Sequence, residues 1–218
     1  MRFALADINT FVFDCDGVIL DSNRVKSEAF FAVAAPFGVD HAQRLLDYHH
    51  RLGGVSRYEK LAYLLDQLIR VDAERRDATL ARLLGEYGEI CRTKLVSCPL
   101  VSGIPSFLAS IPDGVAAYVV TGGDQSEVRD VLTQRGLLRH FAGVLGSPVD
   151  KRDNMKALAS AGAFTGRSVF FGDAALDMQL AEEFGLEFVY VYGASDWQDG
   201  RAHCPHPQIA DFTELCCV

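Results

Sequence analysis

Four short segments couple an apolar run to residues capable of polar chemistry. The first, Phe11-Val12-Phe13-Asp14-Cys15-Asp16-Gly17-Val18, sets two carboxylates two positions apart where a strand-like run meets glycine. In a continuing strand both would point to one face. Two close carboxylates repel and resist joint ionisation unless a cation neutralises them or one holds a proton, so the pair points to a metal, to acid/base work, or to both. The second, Phe170-Phe171-Gly172-Asp173-Ala174-Ala175-Leu176-Asp177, repeats the theme, with Asp173 at the mouth of an apolar run. If the two strands are neighbours, three or four carboxylates converge on an oxygen-rich site that suits Mg²⁺ better than zinc or copper. The plainer alternative is that Asp173 and Asp177 cap the helix that follows.

The third segment, Val119-Val120-Thr121-Gly122-Gly123-Asp124, puts a hydroxyl and exposed backbone N–H groups between a strand and a helix start, a ready anion site. The fourth, Gly146-Ser147-Pro148-Val149-Asp150-Lys151, offers an ammonium that can bind phosphate and offset the acids, or simply sit in solvent. A calcium loop is excluded at the first segment, because Val18 and Val25 occupy positions where oxygen ligands belong.

The elements that must position these groups are strands at Thr10 to Phe13, Val115 to Val120, Gly143 to Leu145, Ser168 to Phe171 and Phe188 to Tyr192. Helical patterns alternate with them from about residue 100, including Ser126 to Gly136 behind Asp124 and Asn154 to Ala161 behind Asp153. Alternation of this kind implies α/β architecture, a Rossmann-like parallel sheet whose ligands bind beyond the carboxyl ends of the strands. Between the first strand and the rest lie only amphipathic helical stretches, Ser27 to Phe37, His41 to Leu52, Arg57 to Ile69 and Ala73 to Lys94. The chain therefore divides into a discontinuous core, 1–22 with 96–218, and an inserted helical cap, 23–95.

Composition narrows the function classes. Hydrophobic residues make up 49% and charged residues 23% of 218, which excludes a disordered chain. With 21 Lys and Arg against 29 Asp and Glu, the net charge of −8 provides no global basic field for nucleic acid, so an anionic partner must be held by local groups. No apolar run approaches a membrane span, and the N-terminus carries Asp7 where a secretory segment would be forming. The six cysteines show no CxxC spacing, and adjacent Cys216-Cys217 is a poor pair for mutual bonding. Cytoplasmic location with free thiols is the expectation, and nothing in the sequence sets an oligomeric state.

Taken in order, Asp14-Cys15-Asp16-Gly17-Val18, Thr121-Gly122-Gly123, Lys151 and Gly172-Asp173-x-x-x-Asp177 resemble the four motifs of the haloacid dehalogenase-like (HAD) superfamily over nearly the whole chain. The helical insertion resembles the family's C1 cap, and Val18-Ile19-Leu20-Asp21-Ser22 its mobile flap, as in members of the phosphoglycolate phosphatase and β-phosphoglucomutase type. The resemblance implies Asp14 as nucleophile and Asp16 as general acid/base. It further implies Mg²⁺ held by Asp14, Asp173 and the Asp16 carbonyl, with Asp177 placing the metal or its waters, and phosphoryl oxygens held by Thr121, Gly122 and Lys151. A carboxylate attacking a phosphate needs its charge screened, and a covalent intermediate splits one hard step into two. Dehalogenases of the superfamily lack the second aspartate of the first motif, so Asp16 favours phosphoryl transfer.

For substrate choice, Arg51-Leu52-Gly53-Gly54-Val55-Ser56-Arg57 resembles the cap specificity loop of β-phosphoglucomutase-like members, which implies a sugar phosphate read by Arg51, Gly54, Val55, Ser56 and Arg57. The competing reading is a helix start, with Ser56 as its cap and Arg57 and Lys60 solvated. Lys26 stands where the family's sugar phosphomutases carry histidine, which favours hydrolysis over isomerisation. It also leaves open a Schiff-base role for Lys26 or Lys60. His49, His50, Trp197 and Tyr192 read as packed or solvated residues, and His203-Cys204-Pro205-His206 as a surface turn rather than a zinc site. The expected activity is Mg²⁺-dependent hydrolysis of a small phosphorylated metabolite, a sugar or sugar acid phosphate. A phosphomutase is the alternative. A catalytically dead binding module ranks lower, because every catalytic position is filled.

Overall fold

Thr10-Phe11-Val12-Phe13 is buried along its whole length, as an unbroken apolar run should be in the middle of a parallel sheet. In the computed structural model, which describes residues 7–215, this run is β1 (Thr10–Phe13). It is joined by β2 (Ala116–Asp124), β3 (Gly143–Ser147), β4 (Ser168–Gly172), β5 (Glu187–Val191) and a short β6 (Gln208–Ile209). All pairings are parallel, and the order is β3-β2-β1-β4-β5-β6. β1 thus lies between β2 and β4, beside the point where strand order reverses, the place where open α/β sheets bind ligands.

Alternation along β1 serves two layers. Phe11 and Phe13 face one side, where Phe13 stacks on Phe171 at 5.3 Å and both meet the edge of Phe107. Val12 faces the other, with Phe170, Val120, Met155 and Leu180. Burying each such Phe contributes about 2–3 kcal/mol, which holds fixed the strand ends that carry the polar residues.

Between β1 and β2 run α1 (Asn23–Ala34) with a 3₁₀ turn at Ala35–Phe37, α2 (Val39–Arg51), α3 (Arg57–Tyr63) and α4 (Ala73–Leu95). The two segments joining them to the sheet lie side by side, with Asp21 N–H donating to Pro99 O and Val101 N–H to Ile19 O. The remaining helices are α5 (Ile104–Ser110), α6 (Gln125–Gln134), α7 (Lys151–Ser160), α8 (Ala175–Glu183) and α9 (Gly200–His203). Among the described residues, no helix is long and apolar enough to cross a membrane. Cys15, Cys91, Cys98 and Cys204 are free and buried, while the N-terminal segment through Ala6 and the Cys216-Cys217 pair lie outside the described residues.

Several local expectations need correction. α1 begins at Asn23 rather than Ser27, and tightens where Pro36 lacks an N–H to continue the α-helical ladder. The stretch Arg57 to Ile69 is not one α-helix. It widens to a π-helix over Leu64–Ile69, a register in which Leu64, Leu65 and Leu68 are all buried. α6 starts as expected behind Asp124, whose carboxylate accepts from the Ser126 and Glu127 N–H groups. α7, however, is capped by Asp150 rather than Asp153 and opens at Lys151, which puts that residue in the first turn beside the strand ends. β6 went unread, because two residues are too few for a periodic signal.

Candidate active site

Asp14 leaves the end of β1 buried at 3% exposure, with Oδ1 accepting from the Cys15 N–H at 2.7 Å. Its other oxygen lies 3.0 Å from Lys151 Nζ, which also donates to Asp177 Oδ1 at 2.6 Å. Asp177 Oδ2 accepts from the N–H groups of Asp173 and Ala174. Asp177 therefore closes the first turn of α8, as the capping reading expects, and its other oxygen turns toward Lys151. With both oxygens engaged, it orients the turn and Lys151. Asp173 leaves β4 next to Asp14, and its Oδ2 accepts from Asn23 Nδ2 at 2.6 Å. Gly17, at φ +75°, turns the chain so tightly over Asp173 that a Cβ there would lie 2.1 Å from Asp173 Oδ2.

Carboxylate oxygens of Asp14, Asp173 and Asp177 lie within 4.8 Å of one another, all three side chains are buried, and Lys151 is the ammonium among them. Burial pushes the Asp14 carboxyl up to about 7, against the pull of Lys151 and with added repulsion from Asp177 and Asp16. Asp173 is driven well above the usual carboxylate range by burial, then by Asp14 and Asp177. Burial works against the charge of Lys151, yet the adjacent acids hold that ammonium above its ordinary range. Three acids to one ammonium is a hard-oxygen donor set short of positive charge, which fits Mg²⁺.

Asp16 sits above this floor and is more open. Ser22 Oγ donates to its Oδ1, and Lys26 Nζ lies 3.4 Å from Oδ2. A Cβ placed on Gly123 would meet the same Oδ2 at 3.8 Å, so Asp16 faces the end of β2, which carries Thr121 and Gly122 where a turn was expected. Thr121 is buried, and its Oγ1 accepts from the Gly123 N–H at 3.0 Å.

The helical insertion roofs the floor, enclosing a cavity of about 70 Å³ lined from both sides. Gly54 packs its backbone on Gly122, where a Cβ would fall 2.2 Å from Gly54 O, and Gly53 meets Ala174 in the same way. Arg51, Gly54 and Val55 line the cavity. Ser56 does not; it caps α3 by accepting from the Glu59 N–H, as the helix-start reading expects. The other half of that reading fails, because Arg57 and Lys60 are 6% and 2% exposed rather than solvated. Arg57 donates both terminal nitrogens to Glu127 at 3.1 and 2.5 Å, Lys26 lies 3.5 Å from the same carboxylate, and Tyr58 OH donates to Asp124.

Sequence reasoning missed Glu127, Asn23 and Ser195. Ser195 Oγ donates to Asp173 O and accepts from Tyr190 OH and Trp197 N–H, fixing the turn after β4. Asn23, adjoining the first motif's flap, was the one with a positional signal. Trp197 packs on Tyr190 as expected but also lines the cavity. His203 and His206 turn to Asp199 O and Glu182, with no shared metal geometry between them.

A family model described as haloacid dehalogenase-like hydrolase matches residues 11–191. No curated protein matches the chain in sequence. Among solved structures, β-phosphoglucomutase from Clostridium difficile is 16% identical, with 96% of this chain and 93% of that one covered at a TM-score of 0.75. CbbY from Rhodobacter sphaeroides, in complex with phosphate, is 18% identical over 95% and 96% at 0.72. A haloacid dehalogenase-like family hydrolase from Streptococcus pneumoniae is 19% identical over 95% and 96% at 0.69. With its sheet order, its four strand-end segments and the family match over residues 11–191, the chain belongs to the haloacid dehalogenase-like hydrolases.

Proposed function

We propose that the protein is a Mg²⁺-dependent phosphatase of a small phosphorylated metabolite, a sugar or sugar acid phosphate, with residues 23–95 acting as a cap over the core of 1–22 and 96–218. One observation carries this reading: a buried nucleophile-type carboxylate, Asp14, with Asp173 and Lys151 against it and Asp16 poised above. Asp14 attacks phosphorus and becomes an aspartyl-phosphate, while Asp16 gives its proton to the departing alcohol and then takes one from the attacking water. Lys151, Thr121 and the Gly122 N–H hold phosphoryl oxygens. Asp14, Asp173 and the Asp16 carbonyl would hold the metal, which when bound screens the negative charges that must approach one another. Asp177 keeps Lys151 and the Asp173 turn in place.

Hydrolysis is favoured over isomerisation because the position beside Asp16 is Lys26, committed to Asp16 and Glu127. The test is phosphate release from a panel of phosphorylated sugars, sugar acids, glycolate and nucleotides, with and without Mg²⁺, beside Asp14→Asn. Selective, Mg²⁺-dependent release that vanishes in the variant is expected. Folded protein that releases no phosphate but interconverts hexose phosphates would replace this reading with a phosphomutase.

A further inference from the structure

Three buried cations hang from the cap side of the cavity, and two have a carboxylate. Lys26 has Asp16 and Glu127, and Arg57 has Glu127. Lys60, on α3, has none: among the described residues no carboxylate oxygen lies within ion-pair distance of its amine, whose hydrogen bond is with His49 Nδ1 at 2.8 Å. When Lys60 is an ammonium it can only donate, and His49 then accepts at Nδ1 and carries its proton on Nε2. That Nε2 is buried with no partner. An unmet buried donor costs roughly 1–3 kcal/mol. Lys60 and His49 together thus present N–H groups with no acceptor, and both line the cavity that holds Asp14. Asp196 comes within 4.8 Å of the His49 ring without bonding to it, and pairs with His50 instead.

We infer that Lys60 and His49 form an anion subsite that reads a second acidic group, a carboxylate, on the substrate whose phosphate sits at Asp14. The inference rests on the phosphatase reading and sharpens it from any sugar phosphate to a phosphorylated hydroxy acid. Both donors line the same cavity as Asp14, where the second acidic group of a small phosphoester would lie. The paired donors also fit a carboxylate's two oxygens.

Two substrates that differ only in the distal group test this: 2-phosphoglycolate and 2-hydroxyethyl phosphate, with ethanediol bisphosphate to separate a carboxylate from a second phosphate. The wild-type protein should favour the acid over the alcohol in kcat/KM by about tenfold or more. Lys60→Met, which replaces a buried amine that has no carboxylate partner with an apolar chain of similar length and should fold, should erase most of that ratio, and Lys60→Arg should restore part of it. A wild-type protein indifferent to the carboxylate, a Lys60→Met protein that keeps the preference, or a preference for the bisphosphate over the acid overturns the inference. If no ester turns over, the phosphatase reading fails by itself. Calorimetric binding then decides the subsite: phosphonoacetate should bind about tenfold more tightly than 2-hydroxyethylphosphonate, with the difference lost in Lys60→Met. Equal or absent binding overturns the subsite.

Discussion

The floor and the roof of the cavity carry opposite imbalances of charge. On the floor, Asp14, Asp173 and Asp177 share one ammonium, Lys151. On the roof, Lys26 and Arg57 share Glu127, Lys60 has no carboxylate of its own, and Asp16 bridges the two halves by way of Lys26. Neither half is neutral alone, so the floor calls for a cation and the roof for an anion. The proposed divalent metal and acidic phosphoester would complete both. The two halves are also built differently. The floor rests on strand ends locked by stacked phenylalanines, whereas the roof is tied to the core by Arg57–Glu127, Tyr58–Asp124 and a glycine-to-glycine backbone contact.

The sharpest way to break the floor is Asp14→Asn, which should lower phosphoester turnover by roughly 10⁴-fold or more while leaving the protein folded. The same variant tests the floor's electrostatics. Because the folded Asp14 carboxyl lies near 7 and its unfolded value near 3.8, the unfolded chain releases that proton first as pH rises. Metal-free wild-type protein should therefore lose stability between about pH 4 and 7, and Asp14→Asn should flatten that slope in denaturant titrations.

Glu127→Gln attacks the roof. It strips Arg57 of its carboxylate and leaves Lys26 with Asp16 alone, which should cost roughly 3–5 kcal/mol in unfolding free energy. Gly122→Ala separates roof from floor without touching a charge. Its Cβ would displace the Gly53-Gly54 loop, so kcat/KM should fall by about 10²-fold with the unfolding midpoint nearly unchanged.

The smallest effect is expected at Lys60. Burial brings its ammonium down to about 7 despite the attraction of Asp16. The cost of the buried charge is then full below pH 7 and is relieved as pH rises toward the unfolded value of 10.5. Lys60→Met should stabilise the protein by on the order of 2 kcal/mol at pH 6, with the gain fading toward pH 10.

The floor was legible in the sequence because its residues lie in contiguous motifs at or just beyond strand ends, so that Asp14, Thr121, Lys151, Asp173 and Asp177, with Asp16 above them, stand out locally. Strand positions followed from apolar runs, with errors confined to ends and to the two-residue β6. Glu127 was illegible, since an acid on an amphipathic helix reads as solvated until a helix of the insertion brings Arg57, 70 residues earlier, to it. Lys60 was legible only as a charge; its burial and its pairing with His49 depend on the packing of α2 on α3. Local motifs reveal chemistry, while the partners of long flexible cations are set by tertiary contact.

The most direct test of the central claim, that Asp14 is the group the floor is built to activate, is to trap the enzyme during turnover. Wild-type protein acid-quenched with phosphoester and Mg²⁺ should carry one phosphoryl group on the peptide containing Asp14 by mass spectrometry. Asp16→Asn should accumulate it, and Asp14→Asn should show none. Steady phosphate release with no phosphoryl group on that peptide in either the wild-type or the Asp16→Asn protein would contradict the account.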